Sequence, residues 1–452
     1  MNPLLRNNIF TCTLDEFLPF EKEHFFLLYS PLSTIATIAT KKDIEKINSI
    51  IEGETTDEQL EDVVSALLDI SPAENAFTKR IKSTSDFVNI SLLLNNICNF
   101  NCYYCYSASG RSSSEIEEMK LIAALDYFID RKRTSAPRLT ISFLGGGEPM
   151  MSKHLIRMAV LHANQRAKEN DFELWFKLIT NGSIIPKEDI NFLKENNIEV
   201  TVSYDILEEI QNLQRKNHEK VTQNIKVLAE EDVILSINSV ITPNNIHRQV
   251  EMVNEAKRNF PQIDYLSFEP MMELNEWATG TIGSSFYSDF IDHFLEARKI
   301  ADINGIELTC SLLRNVDCTV ERYCAGEFAI CPDGSITICP CVSSPDMPLY
   351  KDYVYGKIDE AGKITIDEYK LSKLLADDVY IYPECEACFA KWNCGGGCIN
   401  TNRQDNKQQK QERCDFVRNF TKRILWERVK TYYEEESGKN ITEFLEETII
   451  SI

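Results

Sequence analysis

The chain has 452 residues, too many for one ordinary hydrophobic core, so two or three domains are expected. Hydrophobic residues make up 43% and charged residues 26%, the balance of a folded, water-exposed protein rather than a disordered or membrane one. Only 48 Lys and Arg stand against 70 Asp and Glu, a formal net charge of −22, which argues against a nucleic-acid partner because such affinity comes from clustered cations.

Residues 1–86 read as a small α+β segment. Phe25–Tyr29 and Ile35–Ala39 have the composition of strands, and helical patterns run over Lys42–Ile51 and Thr56–Leu68. The turn-rich stretch Ser71–Ser85 reads as a linker. Asp15, Glu16, Glu21 and Glu23 are wrong for a secretory or transit peptide. No apolar run reaches the roughly 18 residues of a membrane span. A cytoplasmic protein with no membrane partner is expected.

Over residues 87–305 short apolar runs alternate with amphipathic stretches. Strands are expected at Val88–Leu94, Leu139–Leu144, Leu174–Ile179, Glu199–Ser203, Ile234–Ile241 and Tyr265–Phe268. Helices are expected at Glu115–Arg131, Lys153–Glu169, Lys187–Asn196, His218–Glu230, Ile246–Arg258 and Phe286–Asn304. Ser114 and Glu117 have capping-box spacing, and Pro186 suits a first helical turn. Six strand–helix units imply a parallel sheet with right-handed crossovers, too few for a closed eight-stranded barrel. An α/β fold built on a partial (β/α)6 barrel follows. From 306 to 415 the periodicity breaks down and Cys, Gly and Pro rise, so bound metal is expected to organise that block. Within it, Phe328–Cys331 and Ser335–Ile338 read as short strands flanking an Asp333-Gly334 turn. Residues 416–452 read as a helical tail.

The 15 cysteines carry most of the chemistry. Three lie between Cys98 and Cys105, eleven between Cys310 and Cys414, and Cys12 stands alone. Disulfide frameworks belong to short secreted chains, so ligation of metal is the better reading. Cys98, Cys102 and Cys105 follow the first expected strand with C-x3-C-x2-C spacing. Three thiolates so placed can hold three irons of a [4Fe–4S] cluster and leave the fourth open; a zinc site completed from elsewhere is the alternative. Downstream, Cys318, Cys324, Cys339, Cys385, Cys388, Cys394, Cys398 and Cys414 supply two four-ligand sites that by softness suit zinc or [4Fe–4S].

With Tyr104 just before Cys105, the cysteine loop resembles the motif of the radical S-adenosylmethionine (radical SAM) superfamily. Gly145-Gly146-Gly147-Glu148-Pro149 after the second strand is similar to that family's GGEP motif. Thr180-Asn181-Gly182 ends the third strand, and Ser203 and Arg215 have the spacing that in close relatives binds the S-adenosylmethionine carboxylate. The resemblance implies that Cys98, Cys102 and Cys105 hold the catalytic cluster, and that Tyr104, Gly146, Gly147, Glu148, Asn181, Ser203 and Arg215 surround S-adenosylmethionine. Reductive cleavage there would give a 5′-deoxyadenosyl radical that abstracts hydrogen from substrate.

The later cysteines resemble the SPASM domain of radical SAM peptide and protein maturases. That likeness implies one auxiliary cluster on Cys318, Cys324, Cys339 and Cys398, and another on Cys385, Cys388, Cys394 and Cys414. Three [4Fe–4S] clusters, S-adenosylmethionine and an electron donor of flavodoxin or ferredoxin type are thus implied. Cys341 could exchange with Cys339. A precursor peptide or protein is the implied substrate, modified by thioether or carbon–carbon cross-linking or by epimerisation. Two alternatives stand beside this. Sulfatase maturation to formylglycine is one, although those enzymes carry an aspartate base directly after the upstream auxiliary cysteine, where this chain has Pro340. A non-catalytic iron–sulfur or zinc scaffold is the other. The N-terminal order strand, strand, helix, helix resembles the winged domain with which peptide maturases grip a leader as an added strand.

Overall fold

A computed structural model describes residues 6, 8–18, 24–77, 80–272 and 285–450. Residues 1–5, 7, 19–23 and 78–79 of the expected N-terminal segment, 273–284 of the expected barrel and 451–452 of the expected tail lie outside the described residues. Two compact units interleave the segments that the sequence sets in series. One comprises Met1–Arg80, Ser311–Cys324 and Asp377–Ile452; the other comprises Ile81–Cys310 and Ala325–Ala376.

In the first unit, β1 (Phe10–Thr13), β2 (Phe25–Ser30) and β3 (Ile35–Thr40) form an antiparallel sheet in that order. Ile47, Val64 and Leu67, from the helices Lys41–Ile51 and Glu58–Leu68, bury against Leu28 and Ala39. Thr40 and Asp43 close a capping box at the first helix, satisfying end groups that would otherwise be orphaned. The expected linker Ser71–Ser85 is not one throughout, because Ser71–Phe77 is a helix. Its Ala73 and Phe77 dock with Leu32, Val379 and Trp392, an apolar cluster built from distant sequence that no local reading reveals. Asn406 and Gln409 cap a long helix, Lys407–Ser437, which begins before the expected tail and carries Cys414; Ile441–Ile450 completes the tail.

In the second unit seven strands run parallel in the order β10-β9-β8-β7-β6-β5-β4. They are β4 (Asn89–Leu92), β5 (Arg138–Phe143), β6 (Glu173–Thr180), β7 (Ile198–Ser203), β8 (Leu235–Ile241), β9 (Tyr265–Pro270) and β10 (Glu307–Thr309). All six expected strands are present, and β10 adds a short seventh. β11 (Phe328–Ile330) pairs in parallel with β4, and β12 (Ser335–Thr337), β13 (Val354–Ile358) and β14 (Ile364–Ile366) extend the sheet as an antiparallel meander. The sheet stays open, as a partial barrel requires.

Helices Glu118–Phe128, Lys153–Asn170, Lys187–Glu195, His218–Glu230, Gln249–Asn259 and Phe286–Ile303 follow β4 to β9. Leu139, Ile141 and Phe143 of β5 are buried while Thr140 and Ser142 between them are half-buried, and Ile198, Val200 and Val202 alternate likewise with Glu199, Thr201 and Ser203. Fully covered parallel strands read as continuous apolar runs. Alternation in parallel strands therefore marks a sheet with one packed face and one polar face. Two details depart from expectation. Ser114 makes no capping box: the helix starts at Glu118 with Glu117 at its N-cap, while Glu115 bridges to Asn95 and accepts from Ser152. Pro186 is the N-cap of its helix rather than a first-turn residue.

Candidate functional site

The C-terminal ends of β4 to β7 and the loops that leave them carry the expected residues of the first site, where parallel folds place reactive groups. Asn95, just after β4, sets the frame. Its backbone carbonyl accepts from Gly147 N–H at 2.9 Å, and its side chain donates to the Glu148 carbonyl at 3.1 Å and to Ser152 Oγ at 2.6 Å. Glu148 N–H donates to the Ile97 carbonyl at 2.7 Å. This close pass accounts for the glycines. A Cβ on Gly147 would lie 1.9 Å from the Ile97 oxygen, and one on Gly146, at φ +62°, 2.4 Å from that of Asn95.

Glu148 is 2% exposed and braces two strand ends at once. Its Oε1 accepts from Thr180 Oγ1 at 2.6 Å and Met150 N–H at 3.0 Å, and its Oε2 accepts from Asn181 N–H at 2.7 Å. Burial raises its pKa, against the pull of those three hydrogen bonds. Asn181 in turn donates to Asn99 Oδ1 at 2.9 Å and accepts from Ser183, which ties the β6 end to the cysteine loop. Ser203 closes β7, half-buried.

A second knot forms around Asp205, which has no exposed surface. It accepts from the Tyr104 hydroxyl, from Gln214 Nε2 at 2.9 Å and from Val240 N–H at 3.1 Å, with Arg215 Nε 3.2 Å away. The Arg215 guanidinium stands 5.0 Å over the Tyr104 ring and 4.0 Å from Cys102 Sγ. Burial opposes its charge, yet Tyr104, Asp205 and Cys102 together raise its pKa. Arg215 ends the short helix Glu208–Gln214, which the sequence pattern does not reveal. Asn95, Asp205 and Gln214 were missed as well, because their roles depend on partners from other strands.

The three thiols converge. Cys102 is pushed up to about 11, first by burial and then by Cys105, Asp205 and Cys98 nearby. Burial also raises Cys98, which accepts from the Phe100 N–H. Arg111 Nη2 donates to Cys105 Sγ at 3.1 Å, and its Nη1 donates to the Phe100 carbonyl at 2.8 Å. One buried and two half-buried cysteines beside two guanidinium groups fit a polynuclear cation that would hold all three as thiolates. Among the described residues no three His, Cys, Asp or Glu form a ready mononuclear chelate.

The later cysteines divide between the units. Cys385, Cys388, Cys394 and Cys414 all belong to the first unit. There Cys385 and Cys394 are each pushed up to about 12, by burial and then by the other thiols of this set. Cys414 is raised by burial, with Cys388 adding to the rise. Cys12 of β1 also lies within the field of Cys388. Cys318, Cys324 and Cys398 belong to the same unit, whose segments zip together through Val320 N–H to the Trp392 carbonyl at 2.7 Å and Tyr323 N–H to the Gly395 carbonyl at 2.9 Å. Cys339 belongs to the second unit, hydrogen-bonded to Cys341.

Residues 92–256 match the Radical SAM superfamily. The chain is 23% identical over 364 residues to a cysteine-type anaerobic sulfatase-maturating enzyme of Clostridium novyi (strain NT), covering 76% of this chain and 93% of that one. It is 25% identical over 255 residues to the radical SAM cyclopropyl synthase TigE of Paramaledivibacter caminithermalis, covering 51% of this chain and 50% of TigE. Among solved structures, native anSMEcpe with bound AdoMet aligns with a TM-score of 0.60 at 19% identity, over 75% of this chain and 98% of that one. Streptococcus suis SuiB bound to precursor peptide SuiA aligns at 0.52 and 13% identity, over 85% of this chain and 94% of SuiB. At these identities the structural likeness speaks for the fold. Among the described residues no helix is long and apolar enough to cross a membrane.

Proposed function

We propose that this chain is a radical SAM enzyme, a reading supported by the match of residues 92–256, and that it modifies a ribosomally made peptide by thioether or carbon–carbon cross-linking or by epimerisation. The observation that carries this reading is the convergence of Cys98, Cys102 and Cys105 beside the triple-glycine loop. S-adenosylmethionine on a [4Fe–4S] cluster, when bound, supplies a 5′-deoxyadenosyl radical able to take hydrogen from carbon. The protein's share is to position and to exclude water. Cys98, Cys102 and Cys105 would hold the cluster. Gly146 and Gly147 let their loop pass close to Asn95 and Ile97, and Glu148 and Asn181 keep it where it would meet the methionyl amino group. Ser203 and Arg215 receive the carboxylate, and Tyr104 holds Arg215 by its ring face.

Within the first unit Cys385, Cys388, Cys394 and Cys414 would hold an auxiliary cluster, fed by a flavodoxin- or ferredoxin-type donor. In the first unit β3 is one of the two edge strands of its sheet, beside a cavity of about 240 Å³ lined by Thr37, Leu425, Arg428, Val429, Tyr432 and Tyr433. An extended leader added along that strand would seat its apolar side chains there. Deleting residues 1–85 is a poor test of this role. Tyr29 donates to Asn393 and Leu32 packs on Trp392, so the cut would also strip support from the cysteine-bearing part of the unit.

Sulfatase maturation is the second reading, favoured by the likeness to the Clostridium novyi enzyme. Against it, Pro340 stands where those enzymes keep an aspartate base, and it has no proton acceptor in its side chain. Anaerobic co-expression with candidate precursor peptides, read by mass spectrometry in normal and deuterated water, separates these readings. Loss of two hydrogens or deuterium fixed at a carbon is expected, with a lower yield for Tyr432→Ala. An unmodified peptide together with conversion of a sulfatase Cys to formylglycine would replace the peptide reading with the second one.

A further inference from the structure

We propose that Arg111 is a positioning residue that sets the reduction potential of the cluster held by Cys98, Cys102 and Cys105, through a charged hydrogen bond to the Cys105 sulfur. The inference rests on the reading of those cysteines as cluster ligands. Its ground is the fork geometry: Nη2 is 3.1 Å from Cys105 Sγ while Nη1 is fixed 2.8 Å from the Phe100 carbonyl. The planar guanidinium thus spans the loop, anchored at a neutral oxygen and delivering its charge to the sulfur. The field of the Arg111 cation reaches Cys98 and Cys102 as well.

The three sulfurs are not served alike. Cys98 accepts from a backbone N–H, which carries no net charge. Arg215 approaches Cys102 only to 4.0 Å, and its charge is shared with Asp205, the Tyr104 ring and the carboxylate that it would receive. Of the two guanidinium groups described beside these three sulfurs, Arg111 makes the shorter contact, at 3.1 Å. Reduction adds one electron, from an external low-potential donor, and part of that charge falls on the thiolate sulfurs. A charged N–H···S bond therefore strengthens in the reduced state and favours it. No proton moves at Arg111, because guanidinium stays charged at any working pH.

The test is an anaerobic EPR-monitored redox titration of the reconstituted holoenzyme against dithionite and titanium(III) citrate. The relevant signal is the one missing from the C98A/C102A/C105A protein. R111Q should be about tenfold less reduced at a fixed poise, a shift of about 59 mV to lower potential for a one-electron couple. R111K keeps the charge and loses the fork, and should move in the same direction by roughly threefold. Potential is read on the loaded fraction, so a variant that only loosens the loop would lose iron while keeping the wild-type potential. An unshifted potential in loaded R111Q overturns the proposal; should R111Q load no iron, an unshifted potential in R111K does so. If no signal depends on the three cysteines, the underlying reading fails instead.

Discussion

The loop site at the ends of β4 to β7 and the cysteine set Cys385, Cys388, Cys394 and Cys414 are both built from crowded thiols, yet they are held in different ways. Around the first, protein atoms already fix the frame: Asn95 grips the glycine loop, Glu148 ties β5 to β6, and Asp205 collects Tyr104, Gln214 and Val240. Around the second, Cys385 sits on a 3-10 turn at Pro383–Cys385, Cys394 on a one-turn helix at Lys391–Cys394 and Cys414 on the helix Lys407–Ser437, while Cys388 lies in the loop between the first two. Gly395, Gly396 and Gly397 between Cys394 and Cys398 all take positive φ. A reacting site must be pre-organised to tenths of an ångström, whereas a supporting site can borrow its order from the metal it binds. The contrast predicts that loss of metal is felt mainly in the first unit and loss of side-chain bracing mainly in the second.

The sharpest way to break that contrast is to remove ligands. C385A/C388A should lose roughly four irons per chain and become easily cut by protease within Asp377–Cys414, while the signal from the loop site persists. Equal protease resistance with the iron gone would show that the first unit does not need metal. A smaller effect is expected from Gly147→Ala, whose new Cβ meets the Ile97 oxygen at 1.9 Å. Overpacking of this kind costs about 1–3 kcal/mol or more. S-adenosylmethionine binding, read by calorimetry, should weaken strongly while the iron of the first unit is kept. Unchanged affinity would mean that the glycine loop does not shape the pocket.

Much of this was legible in the sequence for identifiable reasons. The six strands show because apolar residues alternate with polar ones facing the open side, and the helices show because their apolar stripes are wide. The reactive loop shows because C-x3-C-x2-C spacing brings three thiols together within eight residues, too close for chance core cysteines and one ligand short of a closed zinc site. What stayed hidden depends on tertiary partners. Ser71–Phe77 is a helix because Trp392 and Val379 receive it, and the units interleave because residues 311–324 and 377–452 pack with the N-terminus. Arg111 and Asp205 look like ordinary surface charges until the fold brings Cys105 and Tyr104 to them. Glu148 was legible as part of a motif, but only the folded chain shows that both its oxygens face protein donors.

The central claim is that Cys98, Cys102 and Cys105 support radical cleavage of S-adenosylmethionine. Its most direct test is the yield of 5′-deoxyadenosine from reconstituted protein, S-adenosylmethionine and dithionite under anaerobic conditions. The account predicts formation by the wild type and none by C98A/C102A/C105A, with the iron of the first unit retained. Cleavage that survives the triple change would contradict it.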